Sequence, residues 1–139
     1  MKKEISTNEV MKLLLQACPS YQTRWGEYVK DNYETGEEHL LYIDLSDFSA
    51  HIIDLYKQNK IDEFPAVFEV IELLHTSGDD YVKEASTIGL LEDMQNQLLT
   101  DKIDTSVFKQ FLKKDSLKWW NNLNDFWGGQ TKYVGRPEK

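Results

Sequence analysis

The sequence predicts an all-α fold of about seven helices packed as antiparallel hairpins, in layers or as an irregular bundle, within a single domain of 139 residues. Three observations carry this. Apolar residues recur at helical spacing along most of the chain, caps and stops punctuate that pattern, and no segment alternates in the manner of a half-buried strand. The short intervals between periodic segments make successive helices antiparallel neighbours.

Ser6-Thr7-Asn8-Glu9 has capping-box spacing and opens a first helix with Val10, Leu13, Leu14 and Ala17 on one face. Pro19 ends it, because the residue before a proline is pushed out of helical geometry, and can itself be the first residue of the next helix. There Tyr21, Trp25, Tyr28 and Val29 form an aromatic stripe, followed by a turn at Glu34–Glu38. A third helix, about Glu38 to Gln58, carries Leu41, Leu45, Phe48, Ile52, Leu55 and Tyr56 on one side. After a link at Asn59–Asp62, a helical hairpin comes next. Phe64 to His75 stops at Thr76-Ser77-Gly78, and Asp79-Asp80 start a second helix to about Leu99. Both hairpin helices are apolar on two sides, the pattern of a helix sandwiched between layers. A sixth helix holds Val107, Phe108, Phe111 and Leu112. A seventh begins near Asp115-Ser116, carries Trp119, Leu123, Phe126 and Trp127, and ends at Gly128-Gly129. Residues 130–139 read as a flexible polar tail.

Composition bounds the function. Hydrophobic residues at 40% and charged residues at 29% suit a folded domain, and no apolar run approaches the ~20 residues that span a bilayer. One cysteine, Cys18, makes neither an internal disulfide nor a zinc site alone. The first residues lack the apolar region of a secretion signal, so the cytoplasm is the expected location. The net charge is −8, but residues 1–100 hold 8 Lys/Arg against 19 Asp/Glu, whereas residues 101–139 hold 8 against 5. An acidic body disfavours nucleic acid and anionic membranes and attracts basic partners. The Lys113-Lys114 and Lys118 cluster is too short to reverse that reading. No phosphate-binding loop, dinucleotide fingerprint or nucleophile elbow is present, so no cofactor and no catalytic residue is expected. Nothing in the sequence fixes an oligomeric state.

Within the hairpin, Asp79-Asp80, Val82-Lys83, Ala85, Ile88 and Leu91 resemble a HEAT-type repeat. More narrowly, Glu69-Val70-Ile71-Glu72 through Gly78-Asp79-Asp80, with Ala85-Ser86-Thr87-Ile88-Gly89-Leu90-Leu91-Glu92-Asp93-Met94-Gln95-Asn96, resembles a poorly characterised family of small all-helical bacterial proteins suspected to be polymorphic-toxin immunity proteins. The resemblance implies a cytoplasmic, non-enzymatic protein that binds a basic toxin and blocks it by occlusion. The alternatives are a HEAT-like adaptor for a basic host protein or peptide and, more weakly, a small metal-dependent hydrolase.

Candidate partner-binding residues fall in three places. Asp44, Asp47, His51 and Asp54 share one face of the third helix, where the plain reading is a solvated face, the sharper one a surface for a basic partner, and a metal site the least supported. Glu92 and Asp93 lie where the stripe begun at Tyr81 is expected to continue, so Glu92 must reach solvent, a cation or hydrogen-bond donors. The plain reading is that the stripe runs off the core edge there, the sharper one a binding role, and acid–base chemistry the least supported. Trp120 is the third: Trp119 and Trp120 are adjacent, and the expectation is that only Trp119 faces inward, which leaves Trp120 for a second contact. His75 reads as a satisfied core-edge histidine.

Overall fold

A computed structural model describes residues 4–127, and it is all-α, with seven α-helices and short 3₁₀ and π segments between them. The helices are α1 (Thr7–Ala17), α2 (Gln22–Asn32), α3 (Leu41–Lys57), α4 (Phe64–Ser77), α5 (Asp80–Glu84), α6 (Glu92–Thr100) and α7 (Lys114–Trp127). The capping box forms as expected: the Ser6 backbone N–H donates to Glu9 Oε1 at 2.9 Å. Pro19 opens a 3₁₀ turn, Pro19–Tyr21, that leads directly into α2. The expected sixth helix is a 3₁₀ run, Thr105–Gln110, capped by the Asp104 side chain on the Ser106 N–H. α3 starts at Leu41, three residues later than the sequence suggests, and the turn before it is exposed.

α5 and α6 are one continuous helix interrupted by a π segment, Ala85–Leu91. Its i→i+5 bonding inserts one extra residue, which rotates everything beyond it by about 100° relative to an unbroken helix. Both apolar sides of this helix are used: Val82 and Ala85 are buried on one, Leu90, Leu91, Met94 and Leu98 on the other, and Tyr81, before the π segment, is half exposed. The segment packs on α3, α4 and α7. Here the Ser49 hydroxyl donates to the Leu90 carbonyl at 3.2 Å, and Gly89 lies against the Tyr42 ring, where a Cβ would come within 3.1 Å of it.

The core is continuous from α1 to α7. α4 sits between α1 and α7, with Val67, Phe68, Ile71 and Leu74 fully buried. The turn between α4 and α5 is pinned by the N-terminal segment: the Ile5 N–H donates to the Ser77 carbonyl, and the Asp79 N–H to the Ile5 carbonyl. Gly78 is required there, since a Cβ would sit 2.5 Å from both the Leu74 carbonyl oxygen and Val82 Cγ1. His75 is buried as expected, with Nδ1 on the Ile71 carbonyl and Nε2 on the Thr87 hydroxyl. At the far end, Phe64, Phe68, Phe108, Phe111 and Trp120 form an aromatic cluster of mostly edge-to-face contacts, the Trp120 ring stacking on Phe108 at 5.9 Å.

Trp120 corrects the expectation that only one of the adjacent tryptophans faces inward. Trp119 is 7% exposed and Trp120 is fully buried, because α7 packs against both α4 and the π segment and so has two inward faces. Trp120 is therefore a core residue. The Gly128-Gly129 stop, the side chains of Phe126 and Trp127, and the tail at 130–139 lie outside the described residues.

Candidate functional site

α2 buries no residue completely. Long side chains, and not close backbone approach, join it to α3. Tyr21, Arg24 and Tyr28 recur at the helical period, as do Asp44, Asp47, His51 and Asp54, and the two stripes face each other in antiparallel order. Tyr28 OH donates to Asp44 Oδ1 at 2.7 Å, and so does Tyr33 OH from the chain just after α2. One turn along, Tyr21 OH donates to Asp47 Oδ2 at 2.7 Å. Arg24 donates to both Asp47 oxygens, at 3.2 and 3.3 Å, and reaches Asp54 at 3.2 Å. Two donors from one guanidinium on one carboxylate make the stronger, charge-assisted kind of contact.

This arrangement overturns the solvated-face reading for the first half of the stripe. Asp44 is 1% exposed, and Asp47 is half-buried under Arg24 and Tyr21. The cause is that Tyr21 and Tyr28, members of the aromatic stripe, reach across the seam with their hydroxyls. Burial first, and then the hydrogen bond to Asp47, raises the Tyr21 phenol well above its ordinary range; Tyr28 is raised by burial and Asp44 in the same way. These phenols are fixed donors.

At the end of the seam, Glu63 accepts from Cys18 Sγ at 3.0 Å, from Ser20 Oγ at 2.7 Å and from the Ser20 N–H at 3.2 Å. Burial opposes the charge on Glu63, but these donors outweigh it and hold the carboxyl below its usual value. His51 Nε2 lies 3.0 Å from Ser20 Oγ. With its proton given to Glu63, that hydroxyl can only accept from His51, so the pair is not a nucleophile with its base. Burial, reinforced by Glu63, pushes the Cys18 thiol up to about 12, the opposite of an activated thiolate. Among the described residues no three His, Cys, Asp or Glu side chains converge as metal ligands.

A cleft of about 400 Å³ opens beside the seam, between α1, α2 and the start of α3. Trp25, His39 and Glu38 form its walls, and Asp44 lies at its back. Trp25 stacks on Tyr28 with centroids 5.6 Å apart, and His39 stacks on Tyr33 at 4.0 Å. His39 Nδ1 is 3.5 Å from Asp44 Oδ2, beyond ordinary N–H···O hydrogen-bond length.

Glu92 and Asp93 are half-buried at the start of α6, and among the described residues no cation pairs with either. Burial raises both carboxyls; the neighbouring Asp93 adds to the effect on Glu92, and a hydrogen bond with Ser46 partly offsets it on Asp93. The seam and this pair are separate: the structure unites Asp44, Asp47, His51 and Asp54 with α2 and leaves Glu92 and Asp93 on α6.

Sequence reasoning missed Arg24, Tyr28, Tyr33, His39, Ser20 and Glu63 as members of the site. For three of its residues a signal existed, because Tyr21, Arg24 and Tyr28 at i, i+3 and i+7 match the spacing of Asp44, Asp47 and His51. Tyr33, His39 and Glu63 come from loops and a helix start, where no period points to them.

The fold and seam together define an all-α protein with an acidic, tyrosine-bonded helix pair beside an open cleft. The chain belongs to the family described as Domain of unknown function (DUF7674), whose model matches residues 11–128. No curated protein and no solved structure matches it.

Proposed function

We propose that this protein is a non-enzymatic binding domain for a basic protein partner, of the immunity type that occludes a toxin such as a nuclease. Charge placement carries the reading: residues 31–56 hold seven acidic residues and no Lys or Arg. The exposed turn Glu34–Glu38 adjoins the cleft that ends at Asp44. Such a surface speeds the encounter with a basic partner and disfavours acidic ones. The Ser20–His51 and Cys18–Glu63 geometry gives no activated nucleophile, which supports binding over hydrolysis. No helix among the described residues is long and apolar enough to cross a membrane, in keeping with action in the cytoplasm.

Co-expression with the product of the neighbouring gene tests this directly. The expected result is a stable complex that weakens as salt is raised and that suppresses the partner's toxicity. A neighbour that encodes no toxin, together with no copurifying basic protein, overturns it. The α4/α5–α6 hairpin, layered between α1 and α7, supports the HEAT-like adaptor as the second reading. A housekeeping operon around the gene would favour that one.

A further inference from the structure

We propose that the cleft between α1, α2 and α3 is the receptor for a single Arg or Lys side chain of the basic partner, an inference that rests on the binding role proposed above. The two aspartates of the seam are satisfied differently. Asp47 receives one tyrosine hydroxyl and the Arg24 guanidinium, both from its own chain. Asp44, one turn earlier on the same face, receives two tyrosine hydroxyls on Oδ1, and no Lys or Arg among the described residues reaches it. Its Oδ2 has only the long approach of His39 Nδ1 at 3.5 Å.

Asp44 is 1% exposed, its Oδ2 meets only the His39 ring at 3.5 Å, and it lines an open cleft, so an incoming cation would add a charge-assisted contact there. The cleft, at about 400 Å³, admits a guanidinium or ammonium together with its alkyl stem. Met11 and Leu41 supply apolar wall for the stem, and the Trp25 side chain, which also lines the cleft, adds aromatic surface beside the cation. Tyr28 and Tyr33 hold Asp44 in place beforehand, so little ordering is needed on binding. The source is a protein and not a free amine, because Glu34, Glu37 and Glu38 cluster in the turn beside the cleft. Such a rim rewards the further positive charges of a basic segment more than it rewards one small ion.

The test monitors backbone amide shifts of residues 38–41 while the protein is titrated with two probes. One is the blocked peptide Gly-Lys-Gly-Arg-Gly-Lys-Gly and the other is n-propylguanidinium. Saturable shifts are expected, with the peptide at least tenfold tighter. Asp44→Asn and Trp25→Leu should each weaken the peptide at least tenfold, while Asp80→Asn, at an exposed position on α5, should leave it unchanged. Trp25→Leu keeps the test valid if Asp44→Asn does not fold. Shifts that do not saturate, or equal losses in the Asp44 and Asp80 variants, overturn the inference. Equal affinity for the two probes overturns the protein-borne source. A partner complex unaffected by Asp44→Asn removes the cleft inference and leaves the binding role standing. Peptide binding as expected, in a protein that no basic partner engages, supports the cleft and removes the binding role.

Discussion

Two halves of this molecule are held together by different physics. Around α4 and α7, Phe64, Phe68 and Phe108 are buried and pack edge to face while the buried Trp120 ring stacks on Phe108, so the attachment is apolar, dense and non-directional. Around α2 and α3, the attachment is a row of hydrogen bonds from Tyr21, Arg24, Tyr28 and Tyr33 to Asp44, Asp47 and Asp54, and α2 itself buries no residue completely. The first kind resists any change of shape at the contact. The second depends on partners staying ionised and oriented, and it leaves a polar cleft at its edge. The difference shows how one small domain can combine a densely packed apolar body with an acidic, hydrogen-bonded face.

Changes in the apolar half should have the largest effects. Trp120→Ala removes a fully buried ring stacked on Phe108, and the expected loss is about 3–5 kcal/mol of global stability in denaturant titration. A loss under 1 kcal/mol would mean that α7 is not part of the cooperative core. In the polar half, Asp44→Ala strands two tyrosine hydroxyls and should cost roughly 2–3 kcal/mol. That loss should appear mainly as opening of α2, with α7 amides still protected.

Glu72 on α4 joins the two styles. It accepts from the Asp115 and Ser116 N–H groups and the Ser116 hydroxyl, and so caps the start of α7 from another helix. Glu72→Ala should cost about 1 kcal/mol. Burial opposes the Glu72 charge, but those donors hold its carboxyl below the ordinary value. Its contribution is therefore present above the usual carboxyl range and lost as pH falls through the lowered value. The smallest effect belongs to Glu92. Its carboxyl is raised by burial and by Asp93, so the fold prefers it protonated, and ionisation at neutral pH is a penalty. Glu92→Gln should gain a few tenths of a kcal/mol at pH 7, discounted for partial exposure. The gain should vanish below the ordinary carboxyl range, where the wild-type group is protonated in both states. Thermal melts across pH check both signs.

The sequence made the helices legible because caps and periodicity are local: Ser6 with Glu9, Pro19, Asp79 and the Phe64–Leu74 stripe all act within one or two turns. It did not reveal the π segment, since an extra residue in the helix leaves composition unchanged and only rotates the turns beyond it. That rotation sets which way the turns beyond Leu91 face, and Glu92 and Asp93 come out half-buried at the edge of the core. Trp120 was misplaced for a related reason, because one helix can have two inward faces when it wedges between layers. In the candidate site, the aspartate face was visible and its burial was not. A stripe containing Tyr21, Trp25 and Tyr28 counts as apolar by ring, while its hydroxyls, which decide the contact, act across the chain.

The most direct measurement of whether the two halves are held independently is native-state hydrogen exchange on the wild type and Asp44→Asn. The expected result is that α2 amides open at lower free energy than those of α7, and that the substitution lowers protection in α2 while α7 is unchanged. Equal protection of α2 and α7, or a uniform loss across both on substitution, would contradict a polar seam that opens independently of an apolar core.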